Sequence, residues 1–386
     1  MLLELLTCKL TLGVLSYIKP YVDGFEVSSE GELYTALKAG MPPERIIFTG
    51  PGKSTNEIQY AVDKSIGAII AESAREVELI NQIASCKGKT TEIFLRINPA
   101  FESAGARIKM SGASKQFGID EELLPCILNK LQEYHHIKIT GIQIYAGTQI
   151  LEENVIVDNT ERILEIAANI MRLNRFDMRF IDVGGGFGIP YFSGEKQLDM
   201  CALKKGLQNV FDCNQSLLSS NDIKILVESG RYIMADSGYF LTKVLYRKLS
   251  RGKTFLIVDG GANFHSAAAG IGRFIRNSFP VDILTVNERR ATETVDIVGP
   301  LCTPTDVLAQ NVELPVCQKG DIIVFPKSGA YGLSASMTGF ISHPQPAEVL
   351  FDNKNYYIVG EKGSRKDFIR GQKLFNKKNK RSLSSV

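Results

Sequence analysis

The amino-acid sequence predicts an α/β protein: a parallel eight-stranded, TIM-like (β/α)8 barrel followed by a β-rich C-terminal domain. Three observations carry that expectation. Short apolar, β-branched runs alternate with segments of helical periodicity from residue 24 to about residue 230. At 386 residues the chain exceeds the size at which one hydrophobic core stops growing, so two domains are expected. Beyond about residue 233 the long helical segments give way to strand-like alternation.

The strands read in order as Phe25-Glu26-Val27, Ile46-Ile47-Phe48, Ala68-Ile69-Ile70, Ile93-Phe94-Leu95, Gly141-Ile142-Gln143-Ile144, Ile181-Asp182-Val183 and Ile225-Leu226-Val227. The first ten residues leave room for an eighth, in a stretch that reads as damaged. Helical periodicity runs from Glu32 to Ala39, Glu76 to Ser85 and Asn159 to Arg172 between them. Eight such units suit a closed barrel, and a doubly wound open sheet is the competing layout. Polar or glycine-rich stretches follow the strands, and a barrel would gather them at its C-terminal mouth, where active sites sit. The second domain is expected from strands at Tyr239 to Tyr246, Thr254 to Val258, Thr294 to Val298 and Asp321 to Phe325. Boundaries follow as 1–233 for the barrel, 234–360 for a β-sandwich or barrel-like domain, and 361–386 for a basic, solvated tail.

Composition excludes several classes. A net charge of +3 gives no basic excess for nucleic acid. No apolar stretch approaches the roughly 20 residues that span a bilayer, and the short apolar opening, with Glu4 and no basic leader, makes a poor signal peptide. Seven scattered cysteines without a Cys-x-x-Cys pair fit reduced thiols in a cytoplasm rather than a disulfide framework or structural zinc. The four histidines do not read as a metal site.

Two motifs carry chemistry. In Ile181-Asp182-Val183-Gly184-Gly185-Gly186-Phe187-Gly188 an apolar strand ends in three glycines, whose bare N–H groups can wrap an anion. In Glu228-Ser229-Gly230-Arg231-Tyr232 a strand-end carboxylate is followed by a glycine and a cation. Together they suit a phosphorylated cofactor with a basic ring nitrogen; taken singly, each reads as an ordinary tight turn.

Further segments carry a resemblance: Gly24-Phe25-Glu26-Val27-Ser28-Ser29-Glu30-Gly31-Glu32-Leu33, Phe117-Gly118-Ile119, Gly299-Pro300-Leu301-Cys302 and Gly329-Ala330-Tyr331-Gly332. With the two motifs, they give residues 10–355 the order and spacing of the fold-type III pyridoxal-phosphate enzymes. The chain resembles this family of ornithine, arginine and diaminopimelate decarboxylases, whose barrel is alanine-racemase-like. Tyr145-Ala146-Gly147-Thr148-Gln149 and Ser328-Gly329-Ala330-Tyr331-Gly332-Leu333-Ser334 look like a branch acting on carrier-linked glutamyl groups in butirosin biosynthesis.

The resemblance implies pyridoxal 5'-phosphate as cofactor, with Glu228 pairing to the pyridine nitrogen and favouring the protonated ring. It implies that Gly185, Gly186, Gly230 and Arg231 bind the phosphate and that Thr148 and Tyr331 add hydroxyls. Tyr145 would stack on the ring in place of the histidine many members carry. Arg96 would lie under the ring; its other reading is a barrel-interior ion pair. Cys302 would reach across a homodimer interface as the acid that reprotonates product, its other reading being a buried apolar cysteine.

Two departures bear on activity. Asn263-Phe264-His265-Ser266-Ala267-Ala268 lacks the arginine–proline pair usual in diaminopimelate decarboxylases, and Cys302-Thr303 lacks their glutamate after the cysteine. The lysine that carries the cofactor in the family should stand eighteen residues before Phe25, at Thr7. Lys9 on the same strand face would be displaced by about 6.6 Å. The resemblance therefore implies a chain begun late or scrambled at its start, its first strand lost with the lysine. The expected function is α-decarboxylation of an amino acid or a carrier-linked, glutamyl-like substrate in secondary metabolism. The alternatives are a diaminopimelate decarboxylase and a non-catalytic relative.

Overall fold

The computed structural model describes residues 2–6, 11–103, 108–112, 114–173, 176–220, 222–271, 278–284 and 291–375. Eight parallel strands close on themselves: Leu2–Leu6, Gly24–Val27, Ile46–Phe48, Ala68–Ala71, Thr91–Asn98, Ile137–Gln143, Phe180–Gly185 and Lys224–Glu228. The ring is completed by pairing of the fourth strand with the fifth and of the first with the eighth, which rules out the open sheet. The expectation that the first strand is lost is corrected here. Leu2–Leu6 fills its place, with Leu5 in register beside both Glu228 and Gly24. Thr7 and Lys9 lie outside the described residues.

Helices follow the strands, and their starts explain why periodicity alone set them late. Ser29, Ser54 and Ser73 each accept a hydrogen bond from the backbone N–H three residues on, so the helices Glu30–Lys38, Thr55–Lys64 and Ala74–Cys86 begin at polar capping turns. Ser54 and Glu57 form a complete capping box.

Alternation along the strands sorts the barrel interior into two levels. Ile47, Ala68, Ile70, Phe94 and Leu226 form an apolar cluster with Phe180 packed against it. Gly141 leaves room there, since a Cβ would come within 2.9 Å of the Phe94 ring and 2.8 Å of the Phe180 carbonyl oxygen. Two residues further along the same strands stand Glu72, Arg96, Gln143, Asp182 and Glu228, all buried, joined from the second strand by buried Glu26. The interior is thus dry at its base and polar towards the strand ends.

The chain divides into two compact units, residues 1–240 with 325–334, and residues 241–324 with 335–386. The sequence put a single boundary near 233. The return of 325–334 to the first unit depends on close backbone approach: a Cβ on Gly329 would fall on the Met234 carbonyl oxygen, and Gly329 N–H donates to Ala235 O at 3.1 Å. Phe240–Ser250, Lys253–Val258, Asp282–Leu284, Thr292–Val298, Val307–Pro315 and Ile322–Phe325 form a six-stranded mixed sheet. A hairpin, Glu348–Phe351 with Tyr356–Gly360, follows it. Of the tail expected beyond 361, residues 376–386 lie outside the described set. Among the described residues, no helix is long and apolar enough to cross a membrane.

Candidate active site

The glycine run ends the seventh strand between its two neighbours. A Cβ on Gly185 would fall on the Glu228 carbonyl oxygen, and one on Gly186, at φ +88°, on the Gly147 carbonyl oxygen. Side chains are therefore excluded by contact with backbone as well as by conformation. The loops after the sixth and seventh strands are tied together. Ile150 N–H donates to Gly186 O at 2.9 Å, Gly188 N–H to Ile150 O at 2.8 Å, and Gln149 Nε2 to Ile189 O at 2.5 Å.

Tyr145 packs on this run: a Cβ on Gly184 would meet its ring at 2.9 Å. Its hydroxyl hydrogen-bonds the Thr148 side chain. Burial, and then the Glu228 carboxylate, hold that hydroxyl above the usual phenol range. Tyr145, Thr148, Gly185, Gly186 and Glu228 are thus brought together, as expected of one site.

Arg231, in the helix Gly230–Met234, sits between two tyrosines. Its guanidinium lies 4.6 Å from the Tyr331 ring centroid and 5.8 Å from that of Tyr191, and Nη1 donates to the Tyr191 hydroxyl at 3.1 Å. Its Nε is buried with no hydrogen-bond partner among the described residues. Tyr331 belongs to the returning segment, which Ser328 N–H anchors to Gly238 O at 2.8 Å. Tyr191 was not singled out from the sequence, because its partnership with Arg231 spans 40 residues.

Glu228, 5% exposed, ends the eighth strand and accepts from Gln143 Nε2 at 2.5 Å. The same Nε2 donates to Glu26 at 3.2 Å. Glu26 and Asp182 lie near enough to Glu228 for the carboxylates to repel one another. Burial, then repulsion from Glu228, push the Glu26 and Asp182 carboxyls well above the ordinary range. Burial raises Glu228 too, but Arg96, Glu26, Gln143 and Asp182 pull it back. Sequence reasoning passed over Glu26, Gln143 and Asp182. The signal was there, in one polar residue between two apolar ones in each strand: Phe25-Glu26-Val27, Ile142-Gln143-Ile144, Ile181-Asp182-Val183.

Arg96 makes a barrel-interior ion pair, Nη1 to Glu72 at 3.0 Å, with Phe117 under its guanidinium at 4.8 Å. Glu72 also accepts from the Gly50 and Gly118 N–H groups at 3.0 and 3.1 Å, so its carboxylate is fully engaged. Cys302 lies in the second unit and is exposed, which removes the buried-apolar reading. Its loop is fixed by Asp306, which accepts from the N–H groups of Ala262 at 2.7 Å and Leu301 at 2.8 Å.

These residues fit a pyridoxal phosphate. The glycine run offers backbone that no side chain covers, Arg231 holds a buried donor without a partner, and a buried carboxylate closes the adjoining strand.

The comparisons agree. The model of the pyridoxal-dependent decarboxylase pyridoxal-binding domain matches residues 6–235. An L-glutamyl-[BtrI acyl-carrier protein] decarboxylase from Niallia circulans is 40% identical, over 90% of this chain and 82% of that protein. A 2-[(L-alanin-3-ylcarbamoyl)methyl]-2-hydroxybutanedioate decarboxylase from Staphylococcus aureus (strain NCTC 8325 / PS 47) is 32% identical, over 86% and 83%. The crystal structure of diaminopimelate decarboxylase from Helicobacter pylori complexed with L-lysine superposes with a TM-score of 0.85 at 29% identity, covering 96% of this chain and 90% of that one. A family model spanning the barrel and relatives aligned along most of the chain place it among the pyridoxal-dependent decarboxylases, carboxy-lyases that work with pyridoxal phosphate.

Proposed function

We propose that this chain α-decarboxylates a glutamate-like amino acid presented on a carrier protein, in antibiotic-type secondary metabolism in the cytoplasm. The observation that carries the decarboxylase chemistry is Glu228, buried at a strand end beside the glycine run and fixed by Gln143. When bound, pyridoxal phosphate supplies the electron sink that accepts the carbanion pair left by departing CO2. Around it, Gly185, Gly186, Gly230 and Arg231 would hold the phosphate, with Thr148 and Tyr331 at its margin. Tyr145 would face the ring, Arg96 would steady the interior beneath, and Glu228 would hold the proton at the ring nitrogen.

The substrate reading is supported by the 40% likeness to a carrier-linked glutamyl decarboxylase. It is supported too by the stretch where an arginine–proline pair was looked for. Asn263, His265 and Ser266 are buried there, with Asn263 Oδ1 accepting from Gly261 N–H at 3.0 Å and Ser266 Oγ donating to Ala262 O at 2.8 Å. That stretch presents no cation to a distal carboxylate. In a CO2-release assay of the Thr7→Lys variant across free and thioester-linked amino acids, turnover is expected on a carrier-linked glutamyl group and little on diaminopimelate. Efficient turnover of meso-diaminopimelate would instead establish the diaminopimelate reading, which the overlap with the Helicobacter pylori enzyme keeps in play. No CO2 from any substrate would favour the non-catalytic reading.

The working unit in this proposal is a homodimer with a shared site, in which exposed Cys302 returns a proton to the product carbon. Sedimentation of the purified chain should give twice the mass of one chain. In the Thr7→Lys background, Cys302→Ala should slow product formation by roughly 10²-fold, the usual worth of a positioned acid. A monomer with full turnover, or a variant as fast as the parent, overturns this part of the reading.

A further inference from the structure

Three carboxylates meet inside the barrel, and among the described residues too few cations stand near to balance them. Glu26 is 9% exposed, Asp182 0% and Glu228 5%. The cation near them, Arg96 of the fifth strand, is already bound to Glu72 at 3.0 Å. The other groups facing the cluster are Gln143 of the sixth strand and Tyr145 of the loop that follows it; the tyrosine's hydroxyl is turned to Thr148. Donors are scarce: Gln143 Nε2 serves Glu26 and Glu228, and Gly184 N–H serves Asp182 Oδ1 at 2.9 Å. Asp182 Oδ2 is buried without a hydrogen-bond donor among the described residues. Buried carboxylates that converge on one amide donor, one of them with an orphaned oxygen, do not all stay ionised.

We infer that Glu26 and Asp182 are neutral carboxylic acids that donate to Glu228, and that with Gln143 they keep Glu228 as the one ionised member of the trio. Glu26 and Asp182 stand well above the ordinary carboxyl range, while Glu228, raised by burial, is pulled back by Arg96, Glu26, Gln143 and Asp182. The consequence rests on reading Glu228 as partner of the ring nitrogen. A carboxylate that accepts several hydrogen bonds is a weak base. The proton shared between it and the ring therefore resides on the ring. Glu26, Asp182 and Gln143 are positioning residues: they act on the cofactor through Glu228.

The sign of the pH dependence follows. Groups whose folded pKa is raised bind protons more tightly folded than unfolded. Their stabilisation is complete below the ordinary carboxylate pKa and is lost as pH rises through the folded value. For each proton held, the folding equilibrium constant falls about tenfold per pH unit in that window.

The test uses the full chain without added cofactor, so it can fail while the role of Glu228 stands, and the reverse. Infrared spectra are recorded from about pH 5 to about pH 8, above the range of free carboxyls. The parent should keep a protonated-carboxyl absorption throughout. Glu26→Gln and Asp182→Asn should each remove one component. In urea titrations Glu26→Gln should lose about one factor of ten per pH unit from the pH dependence of stability. Gln143→Leu should add a component at neutral pH, as Glu228 takes up a proton. A parent spectrum without protonated carboxyls near pH 7, or Glu26→Gln with unchanged spectrum and slope, overturns the inference. Should the Asp182 variant fail to fold, the parent spectrum and Glu26→Gln still decide it.

Discussion

In the Thr7→Lys background, Glu228→Ala is expected to slow decarboxylation by roughly 10²-fold or more while leaving phosphate binding nearly intact, the loss seen when a central electrostatic contact is removed. The expectation follows from where the structure puts each function. Glu228 lies beneath the glycine run, with its carboxylate turned to Gln143, Glu26 and Asp182. The groups proposed to hold the phosphate are fixed by other contacts: Arg231 by Tyr191 and Tyr331, and the glycine loops by Gln149 and Ile150. Removing the side chain takes away the partner of the ring nitrogen without touching those contacts. The truncation also leaves Gln143 Nε2 with Glu26 alone, so Glu228→Gln is the companion variant: it keeps the volume and loses the charge. Single-turnover CO2 release, with cofactor affinity from fluorescence quenching, separates chemistry from binding. Turnover unchanged in both variants would remove Glu228 from the chemistry.

The order of strands and helices was legible because the barrel repeats one unit and each strand alternates with a period of two. Even Leu2–Leu6, too short to stand out, finds its place by pairing on both sides. The strand Val307–Pro315 was missed because its central residues, Gln310, Asn311 and Glu313, are polar and none of them is buried. The return of Phe325–Ser334 was not legible either. It depends on Gly329 approaching Met234 and Ala235 nearly a hundred positions away, and sequence periodicity carries no information at that range. At the site, Glu228, Arg231 and the glycines could be read because each stands at a strand end in a motif. Glu26, Gln143 and Asp182 lie inside strands, and what they do depends on which strands a closed barrel brings face to face.

Borohydride reduction of the chain with pyridoxal phosphate is expected to leave no pyridoxyl group on Lys9, and turnover of the chain as given is expected to be negligible. On the family resemblance the cofactor-carrying lysine is expected at position 7, where this chain has Thr7, whose hydroxyl cannot form that covalent link. Were the strand to continue, Lys9 would carry its amine further along. Two residues along a strand is about 6.6 Å, whereas a misplacement of about 1 Å already costs a reaction about 10²-fold. Glu228 and the glycine run stand side by side, and the first barrel strand is in register with Glu228 at Leu5. A single change should therefore suffice. Thr7→Lys is expected to give covalent cofactor attachment at position 7, found by peptide mapping after reduction, together with a gain in CO2 release of about 10²-fold or more. Control variants keep the two explanations apart. Lys9→Ala in the parent should change nothing, and in the Thr7→Lys background it should leave the gain intact. A pyridoxyl group mapped to Lys9 of the parent, with activity lost in Lys9→Ala, would show that the chain already holds its cofactor through that residue.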